Sequence, residues 1–234
     1  MKGGSDNSSI VPIVRGEVEF MIVYDNEALR GFRSGWGFSC YIKEKGVLFD
    51  TGADLDNLMY NMEKLSIHPK EIKKIVLSHE HGDHTGGIGI VEYCGDVEVF
   101  ILRSFSKWFK ERLASYPNVN IVEVREEETV CDDVFTTGEL GLFTKEQSLI
   151  IKTEKGVVVV TGCSHPGLES ILAKAKKFGR VYGVIGGFHG FSKLGLLKEM
   201  SLIVPCHCTA RKKEILNLYP KTSVRCSAGF TIRV

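Results

Sequence analysis

The residues with the clearest chemical potential lie together at positions 78–87, in the sequence SHEHGDHTGG. In an extended chain, residues i and i+2 project to the same side, so His79 and His81 can present two imidazoles to one metal ion. A glycine then allows the chain to turn and brings Asp83 and His84 to a second position. Imidazole and carboxylate ligands together suit Zn²⁺, Fe, Mn²⁺ or Ni²⁺ better than Ca²⁺. The segment predicts a site for one or two divalent metal ions, with zinc expected first.

One short segment cannot complete a metal site, so the settings of the other histidines matter. His165 in VVVVTGCSHPG and His207 in SLIVPCHCTA each follow an apolar run and lie among small or turn residues. Such strand-end loops are where α/β folds gather ligands, and both imidazoles are predicted metal ligands. His189 in VYGVIGGFHG has the same setting. It is a candidate ligand, or an imidazole that supports a ligand or faces the substrate. His68 in LSIHPKE lacks this setting and is left out.

Two further residues are candidates beside the histidines. Asp50 ends the apolar run GVLFD and precedes a glycine turn, where a carboxylate could orient a ligand histidine. The alternative for Asp50 is a turn or helix-capping role. Cys163 lies two residues before His165, so its thiolate could lie near the metal. The alternative for Cys163 is packing as a small buried residue.

The remaining cysteines predict no further site. Seven cysteines are an odd number and too sparse for a disulfide scaffold. The first ten residues, MKGGSDNSSI, lack the apolar stretch of an export signal. We therefore expect free thiols and a cytoplasmic location. Cys206 and Cys208 flank His207 at i±1, so they are expected to face away from it and to pack.

The elements that must position these residues are short strands alternating with amphipathic helices. Runs rich in Val, Ile and Phe predict strands at residues 18–24, 37–42, 46–50, 74–78, 97–102, 119–124, 147–152, 156–161, 180–185 and 201–205. Apolar residues at helical spacing predict a helix at residues 57–65, capped by Asp54 or Asp56. Three more apolar stripes are expected to pack in the core; they consist of Phe105, Trp108, Phe109 and Leu113, of Leu168, Ile171, Leu172 and Ala175, and of Ile215, Leu216 and Leu218. The alternation predicts an α/β layered sandwich.

Length and composition narrow the possible functions. The chain has 234 residues, 43% of them hydrophobic and 25% charged, which is typical of a globular protein. We expect a flexible tail at residues 1–10 and a single domain at residues 11–234. No apolar run is long enough for a membrane helix. The net charge of +1 provides no field that would attract nucleic acid.

The motifs resemble those of the metallo-β-lactamase superfamily. The run at residues 79–84 is similar to its HxHxDH signature, Asp50 in FDTG to its first motif and His207 to its last. The branch of 7,8-dihydropterin-6-methyl-4-(β-D-ribofuranosyl)aminobenzene-5′-phosphate synthases has segments similar to VYDNEA, GFSCYI, TGCSHPG, VIGGFH and PCHCTA here. The resemblance implies a four-layer αβ/βα sandwich with a metal site where two sheets meet. One metal would be held by His79, His81 and His165, and the second by Asp83, His84 and His207.

The chain departs from these families at two places. Most superfamily members end one strand in Gly-Asp, whose Asp bridges two metals, whereas the matching strand here ends in Gly162 and Cys163. The resemblance thus implies that Cys163 or water takes the place of the bridging carboxylate. The dihydropterin branch commonly has His-Gly-His-Tyr-Asp-His, and this chain has Glu80 and Gly82 instead.

The functional hypothesis is a metal-dependent hydrolase that uses metal-activated water, with Asp83 binding metal and orienting the nucleophile or accepting its proton. The expected substrate is an anionic small molecule that bears phosphate. One alternative is a dihydropterin-type synthase that displaces pyrophosphate. Further alternatives are an RNA or DNA nuclease and a metal-binding or redox module without enzymatic activity.

Overall fold

The structure, a computed structural model, describes residues 17–234, so the expected tail at residues 1–10 lies outside the described residues. It contains thirteen strands: β1 Glu19–Tyr24, β2 Ser39–Ile42, β3 Val47–Phe49, β4 Lys74–Val76, β5 Val97–Leu102, β6 Val119–Val124, β7 Glu128–Cys131, β8 Val134–Thr136, β9 Leu149–Thr153, β10 Gly156–Thr161, β11 Val181–Gly187, β12 Leu202–Cys206 and β13 Thr231–Arg233. They form two mixed sheets. Seven strands in the order β13-β1-β2-β3-β4-β5-β6 form the first sheet, and six in the order β12-β11-β10-β9-β8-β7 form the second.

Helices cover the outer faces of both sheets. The α-helices are α1 Leu55–Lys64, α2 Gly82–Thr85, α3 Lys107–Ala114, α4 Leu168–Ala175 and α5 Lys212–Leu218. Short 3₁₀ helices span Lys43–Lys45, Pro69–Glu71, Ile88–Tyr93, Lys176–Phe178 and Leu194–Leu197. Helices α1 and α3 contact the first sheet, whereas α4 and α5 contact the second. Of the two predicted capping residues, Asp54 caps α1 by accepting a hydrogen bond from the backbone N–H of Asn57.

The alternating burial of β10 explains why the sheets stack. Val158 and Val160 pack into the core between the two sheets. Val157 and Val159 project to the opposite face and pack with the helices on the second sheet. Because successive side chains of a strand point to opposite faces, one valine-rich strand supplies both layers. The predicted αβ/βα sandwich is confirmed.

The strand predictions from the sequence hold for ten of the thirteen strands, with shifts at several ends. Strands β7, β8 and β13 were not predicted, because they are short and carry polar residues. Two packing predictions are wrong: Leu218, the last residue of α5, is 54% exposed, and Trp108 of α3 is 66% exposed. The predicted stripe was counted from Phe105, but α3 begins at Lys107, so only Phe109 and Leu113 share its buried face.

The parallel parts of both sheets determine where the loops meet. In the first sheet, β3, β4, β5 and β6 are parallel neighbours. In the second, β10, β11 and β12 are parallel. The carboxyl ends of β3, β4, β10, β11 and β12 therefore place the segments that follow them at one edge of the sandwich. Within residues 17–234, no helix has the length and apolar character needed to cross a membrane.

Candidate metal centre

Four segments at this edge turn through residues with positive φ. The values are 55° for Asp50, 61° for Ser164, 42° for His189 and 45° for His207. This left-handed backbone is uncommon outside glycine and costs of order 1–3 kcal/mol per residue. The turns reverse the chain close to the ends of β3, β10, β11 and β12, and so keep the following side chains at the sheet edge.

The first group of ligand atoms comes from His79, His81 and His165. These atoms all lie within 4.8 Å of one another, although His165 is on the other sheet. Nε2 of His79 is 3.0 Å from Nδ1 of His81, as expected for imidazoles at i and i+2 on one side of an extended segment. His79 is buried and His81 is exposed, so this group reaches the surface.

The second group consists of Asp83, His84 and His207, again with ligand atoms within 4.8 Å of one another. Helix α2 places the first two, and the end of β12 places the third. Oδ2 of Asp83 is 3.2 Å from Nε2 of His207 and 3.8 Å from Nε2 of His84. Burial raises the pKa of Asp83, but the adjacent His207 and His84 outweigh it and hold the pKa below its usual range.

The two groups touch through the buried His84. Its ring centroid is 4.3 Å from that of His79 in the first group and 5.0 Å from that of His207 in the second. Burial and neighbouring imidazoles lower the pKa of His79 and of His84 to about 3. Both rings are therefore neutral at physiological pH, which is the form that binds metal.

Asp50 contacts His84, one of the histidines that it was expected to orient. Its Oδ2 lies 2.7 Å from His84 Nδ1 and accepts a hydrogen bond from Ser78 Oγ at 2.8 Å. Its Oδ1 accepts a hydrogen bond from the Ser78 backbone N–H at 2.7 Å. Burial raises the pKa of Asp50 to about 8. The partners of Asp50 hold the His84 ring so that Nε2 faces the other ligands.

Glu146 is a functional residue that sequence reasoning missed. It is fully buried, and its Oε1 accepts hydrogen bonds from the backbone N–H groups of Cys163 and Ser164, each at 2.9 Å. Its Oε2 accepts from the His165 backbone N–H at 2.9 Å and lies 3.0 Å from His165 Nδ1. Burial opposes the charge, but these partners outweigh it and lower the pKa of Glu146 to about 2. No motif marks this glutamate in the sequence, because its partners come from a distant loop.

Asp25 and Asn26 support His207 and were also not assigned a role from the sequence. Asn26 Oδ1 lies 2.9 Å from His207 Nδ1, and Asp25 Oδ1 accepts a hydrogen bond from the His207 backbone N–H at 2.7 Å. Both residues belong to the segment VYDNEA and directly follow the buried strand β1. A position directly after an apolar strand also marked His165 and His207 in the sequence. The same pattern could have identified Asp25 and Asn26.

The cysteines depart from the expectation of free thiols. Cys206 and Cys226 form a disulfide, so the expectation is wrong for this pair. The expectation that Cys208 faces away from the site is also wrong, because its Sγ lies within 4.8 Å of ligand atoms of Cys163 and His207. The i±1 rule holds for extended chain, whereas His207 has a left-handed backbone that turns Cys208 back. Cys163 is buried at the centre, with Sγ 3.2 Å from His84 Nε2.

His189 lies at the margin of the centre. Its ring centroid is 5.2 Å from that of His165, and it is exposed. It belongs to none of the groups of converging ligand atoms found within residues 17–234. This position agrees with an imidazole that faces the substrate rather than with a ligand.

The donor set fits a divalent metal. Nε2 of His207 is buried and has no aligned hydrogen-bond partner among the described residues, although Asp83 is near. An unpaired buried nitrogen is costly, and a metal ion would satisfy it. Five imidazoles and a carboxylate are the ligands that zinc and related metals take in proteins.

Comparisons with known proteins identify the family of the chain. The family model described as the metallo-beta-lactamase superfamily matches residues 39–205. The 7,8-dihydropterin-6-methyl-4-(beta-D-ribofuranosyl)-aminobenzene-5′-phosphate synthase of Methanocaldococcus jannaschii is 31% identical over an alignment of length 229, and the match covers 73% of this chain and 78% of that protein.

Solved structures show the same fold. Tm1679, a metal-dependent hydrolase of the beta-lactamase superfamily, has a TM-score of 0.79 and 27% identity, covering 93% of this chain and 99% of that chain. The metallo-beta-lactamase fold protein YhfI from Bacillus subtilis has a TM-score of 0.71 at 12% identity, covering 94% and 100%. The family match runs from the first residue of β2 into β12 and thus spans both sheets. The chain belongs to the metallo-beta-lactamase superfamily.

Proposed function

We propose that the protein is a metal-dependent hydrolase that uses metal-activated water on a phosphate-bearing small molecule. One observation carries the proposal: two groups of three ligand atoms lie side by side and share the contact between His79 and His84. His79, His81 and His165 would hold one metal ion, and Asp83, His84 and His207 would hold the other. Zinc is the first candidate, with iron, manganese and nickel as further ones.

Divalent ions in such a centre would lower the pKa of water from 15.7 toward ~7 and polarise the electrophile. Side chains of the protein would position the nucleophile. The Asp83 side chain is 22% exposed, so one carboxylate reaches both the buried imidazoles and the solvent side. Its lowered pKa keeps it ionised at neutral pH, so it can accept a hydrogen bond from the nucleophile and orient it.

The surroundings of His207 support an anionic substrate. A cavity of about 550 Å³ adjoins this imidazole. Its lining contains four basic side chains and two acidic ones, namely Arg211, Lys212, Lys213, Arg225, Glu27 and Glu214. Ion pairs engage three of the bases with these acids. The excess positive charge beside the centre favours a phosphate group. A small anionic substrate and a cytoplasmic location are part of the proposal.

A synthase is the second candidate, because the relative that is 31% identical is named a synthase. Such an enzyme would displace pyrophosphate from a dihydropterin, with the same centre stabilising the leaving phosphates. The indole of Trp36 would suit a planar substrate, since it is 64% exposed and its ring centroid lies 5.1 Å from that of His207. Aromatic faces stack on planar rings with useful energy.

A substrate panel tests the proposal. Protein stripped with a chelator and protein reloaded with Zn²⁺, Fe²⁺ or Mn²⁺ would be assayed on phosphoesters, thioesters, RNA and a dihydropterin pyrophosphate. We expect phosphoester hydrolysis that depends on metal and is lost in His84→Ala, while the remote and exposed His68→Ala keeps it. Pyrophosphate release with transfer to an acceptor would favour the synthase, and RNA cleavage would favour the nuclease. Full activity of metal-free His84→Ala would contradict the proposal.

A further inference from the structure

A further cavity adjoins the candidate metal centre at His81. Its volume is about 260 Å³, and it lies between the loop after β4, the loop after β5 and the hairpin loop that joins β8 to β9. His81 is exposed and belongs to the first group of ligands, whereas the basic cavity adjoins His207 of the second group. A cavity below about 300 Å³ suits one part of a substrate better than a whole drug-sized molecule.

Lys145 gives this cavity an unpaired positive charge. Its side chain is half-buried and forms no ion pair with any residue of the part of the chain that the structure describes. In the cavity beside His207, by contrast, acids pair with three of the four bases. A cation that is partly removed from water and lacks a partner gains from an anionic ligand. Lys145 is therefore available to a negatively charged group of a substrate.

The acidic side chain of this cavity is already bonded. Both oxygens of Glu80 accept hydrogen bonds from Ser106, one from its backbone N–H and one from its hydroxyl. Ser106 is the N-cap of α3, where the helix dipole favours negative charge. The hydroxyls of Ser104 and Thr144 also line the cavity and donate to no residue within 17–234, so both can donate to an anion.

The hairpin loop holds Lys145 in place beside the centre. Leu140 and Glu146 exchange two backbone hydrogen bonds of 3.0 Å and so close the loop at its base. The Glu146 carboxylate is bonded in turn to the backbone and ring of His165. Lys145 directly precedes this anchored glutamate. A group that is held in position before binding loses less entropy when a ligand arrives.

Aromatic side chains form the apolar part of the cavity. Phe105 is buried, and Phe143 of the hairpin loop is fully exposed. A ring of a ligand that packs on Phe143 would remove its apolar surface from water and gain the preferred contact of two aromatic rings. The cavity thus combines aromatic walls with one unpaired cation and two free hydroxyls.

We propose that the cavity beside His81 binds the part of the substrate that the nucleophile does not attack, and that this part is an aromatic ring carrying a second anionic group. Lys145 and the two hydroxyls bind the anion, a phosphate or a carboxylate, and Phe143 packs on the ring. This inference deepens the proposed function and rests on it only for the phosphate that is attacked.

Substrates that differ by one anionic group test the assignment in the zinc-loaded, full-length protein. Phenyl phosphate would be compared with 3- and 4-carboxyphenyl phosphate and with the 1,3- and 1,4-phenylene bisphosphates. We expect a KM about tenfold lower for a substrate with the second anion, because a hydrogen bond to a charged group is lost without it. The series with the lower KM identifies the anion as carboxylate or phosphate.

Lys145→Gln should remove this advantage by raising KM at nearly constant kcat, because it removes binding that the ground state and the transition state share. Lys213→Gln is the matched control, since this exposed lysine lines the cavity beside His207 and also forms no ion pair with a described residue. Lys213→Gln should affect phenyl phosphate and its anionic derivatives alike. An advantage that survives in Lys145→Gln would overturn the proposal.

Two neighbours on the hairpin loop test the aromatic wall. Phe143 and Leu142 are both exposed, but only Phe143 lines the cavity. Phe143→Ala should raise KM for the aryl substrates about threefold, whereas Leu142→Ala should leave it unchanged. Equal effects of the two substitutions would contradict packing of the ring on Phe143.

Binding without turnover gives a second measurement. Saturation-transfer NMR should detect 4-hydroxybenzoate on the zinc-loaded protein, with an affinity about tenfold lower in Lys145→Gln and unchanged in Lys213→Gln. Circular dichroism checks that each variant is folded. No saturation transfer in the wild type, or an equal loss in both lysine variants, would overturn the subsite.

The results separate this inference from the proposed function. Phosphoester hydrolysis with the same KM for substrates with and without the second anion overturns the subsite and leaves the hydrolase proposal standing. Binding of 4-hydroxybenzoate that depends on Lys145, in a protein that hydrolyses no phosphoester, supports the subsite and contradicts the proposed function.

Discussion

At the scale of single residues, three imidazoles of the centre are oriented by the same kind of contact. Each is bonded through Nδ1 to an acceptor: His84 to Asp50 at 2.7 Å, His165 to Glu146 at 3.0 Å and His207 to Asn26 at 2.9 Å. A partner on one ring nitrogen fixes the tautomer and the orientation of the ring. The other nitrogen is then available for metal, so these partners matter almost as much as the ligands.

Glu146→Gln tests this support. The amide nitrogen of glutamine cannot accept the hydrogen bonds that one carboxylate oxygen now accepts from the loop of His165. We expect Zn²⁺ affinity to fall about 10–100-fold and the free energy of unfolding to fall by about 1–3 kcal/mol. Competition with a chromophoric chelator and urea denaturation measure the two effects. The exposed Glu126→Gln is the control. Unchanged zinc affinity in Glu146→Gln would show that the loop holds its shape without the charge.

At the scale of elements, helix α2 is positioned by a backbone contact that only glycine permits. A Cβ on Gly86 would lie 1.9 Å from the carbonyl oxygen of Ala53. The Gly86 N–H also donates to the carbonyls of Gly52 and Gly82. The loop after β3 and helix α2 therefore pack backbone against backbone, and this places Asp83 and His84.

Gly86→Ala and Gly82→Ala form a matched pair that tests this contact. Both glycines flank the same two ligands, but a Cβ on Gly82 would meet nothing within 4 Å. We expect Gly86→Ala to destabilise the protein by about 3 kcal/mol and to weaken metal binding, because overpacking shifts the backbone. Gly82→Ala should stay within about 0.5 kcal/mol of the wild type. Thermal denaturation and metal titration measure both, and equal stability of the two variants would refute the packing argument.

A buried charge beside the edge strand of the first sheet predicts a pH dependence of stability. Glu19 on β1 binds Lys43 at 3.1 Å and Arg233 of β13 at 3.0 Å. The hydrogen bond from Lys43, opposed by burial and aided by Arg233, holds the pKa of Glu19 below its usual range. Because the folded pKa is the lower one, the stabilisation is full above the unfolded pKa and is lost as pH falls through the folded pKa.

Glu19→Gln should therefore lower the urea midpoint at about pH 7 and have a smaller effect at about pH 3. Glu17→Gln is the control, since this neighbouring glutamate is exposed. Urea denaturation at the two pH values gives the comparison. A loss of stability in Glu19→Gln that is the same at both pH values would assign the effect to packing rather than to charge.

At the scale of the whole molecule, the candidate metal centre lies between the two sheets. His79, His81, Asp83 and His84 follow β4 in the first sheet, whereas His165 and His207 follow β10 and β12 in the second. Each group of ligands contains residues from both sheets. A bound ion would consequently resist separation of the layers, and binding should stabilise the whole fold.

Zinc should raise the melting temperature. At a free Zn²⁺ concentration about 100 times the dissociation constant, the gain is about 2.7 kcal/mol, or about 5–10 °C for a chain of this size. His165→Ala and His207→Ala, one in each group, should each reduce the shift, while the exposed His68→Ala should leave it unchanged. Scanning calorimetry with and without a chelator measures it. An unchanged melting temperature on addition of zinc would speak against a metal centre between the sheets.

Local patterns in the sequence were enough to predict part of the structure of this protein. The i, i+2 spacing of His79 and His81 and the apolar runs before His165 and His207 depend on neighbouring residues. They predicted the α/β sandwich and the histidines that converge at its edge. Strand burial follows from the same alternation of side chains. These features could be predicted because the cause lies within a few residues of the effect.

Only the tertiary structure revealed the contacts between distant segments. Glu146 meets the loop of His165, Asn26 meets His207, and Cys206 pairs with Cys226. The left-handed backbone at His207 also decides that Cys208 returns to the site. None of these contacts is marked by a periodic pattern in the sequence. The sequence by itself determined which chemical groups are present and which elements they follow; the packing of two sheets decided which groups meet, because long-range contact depends on the whole fold rather than on local spacing.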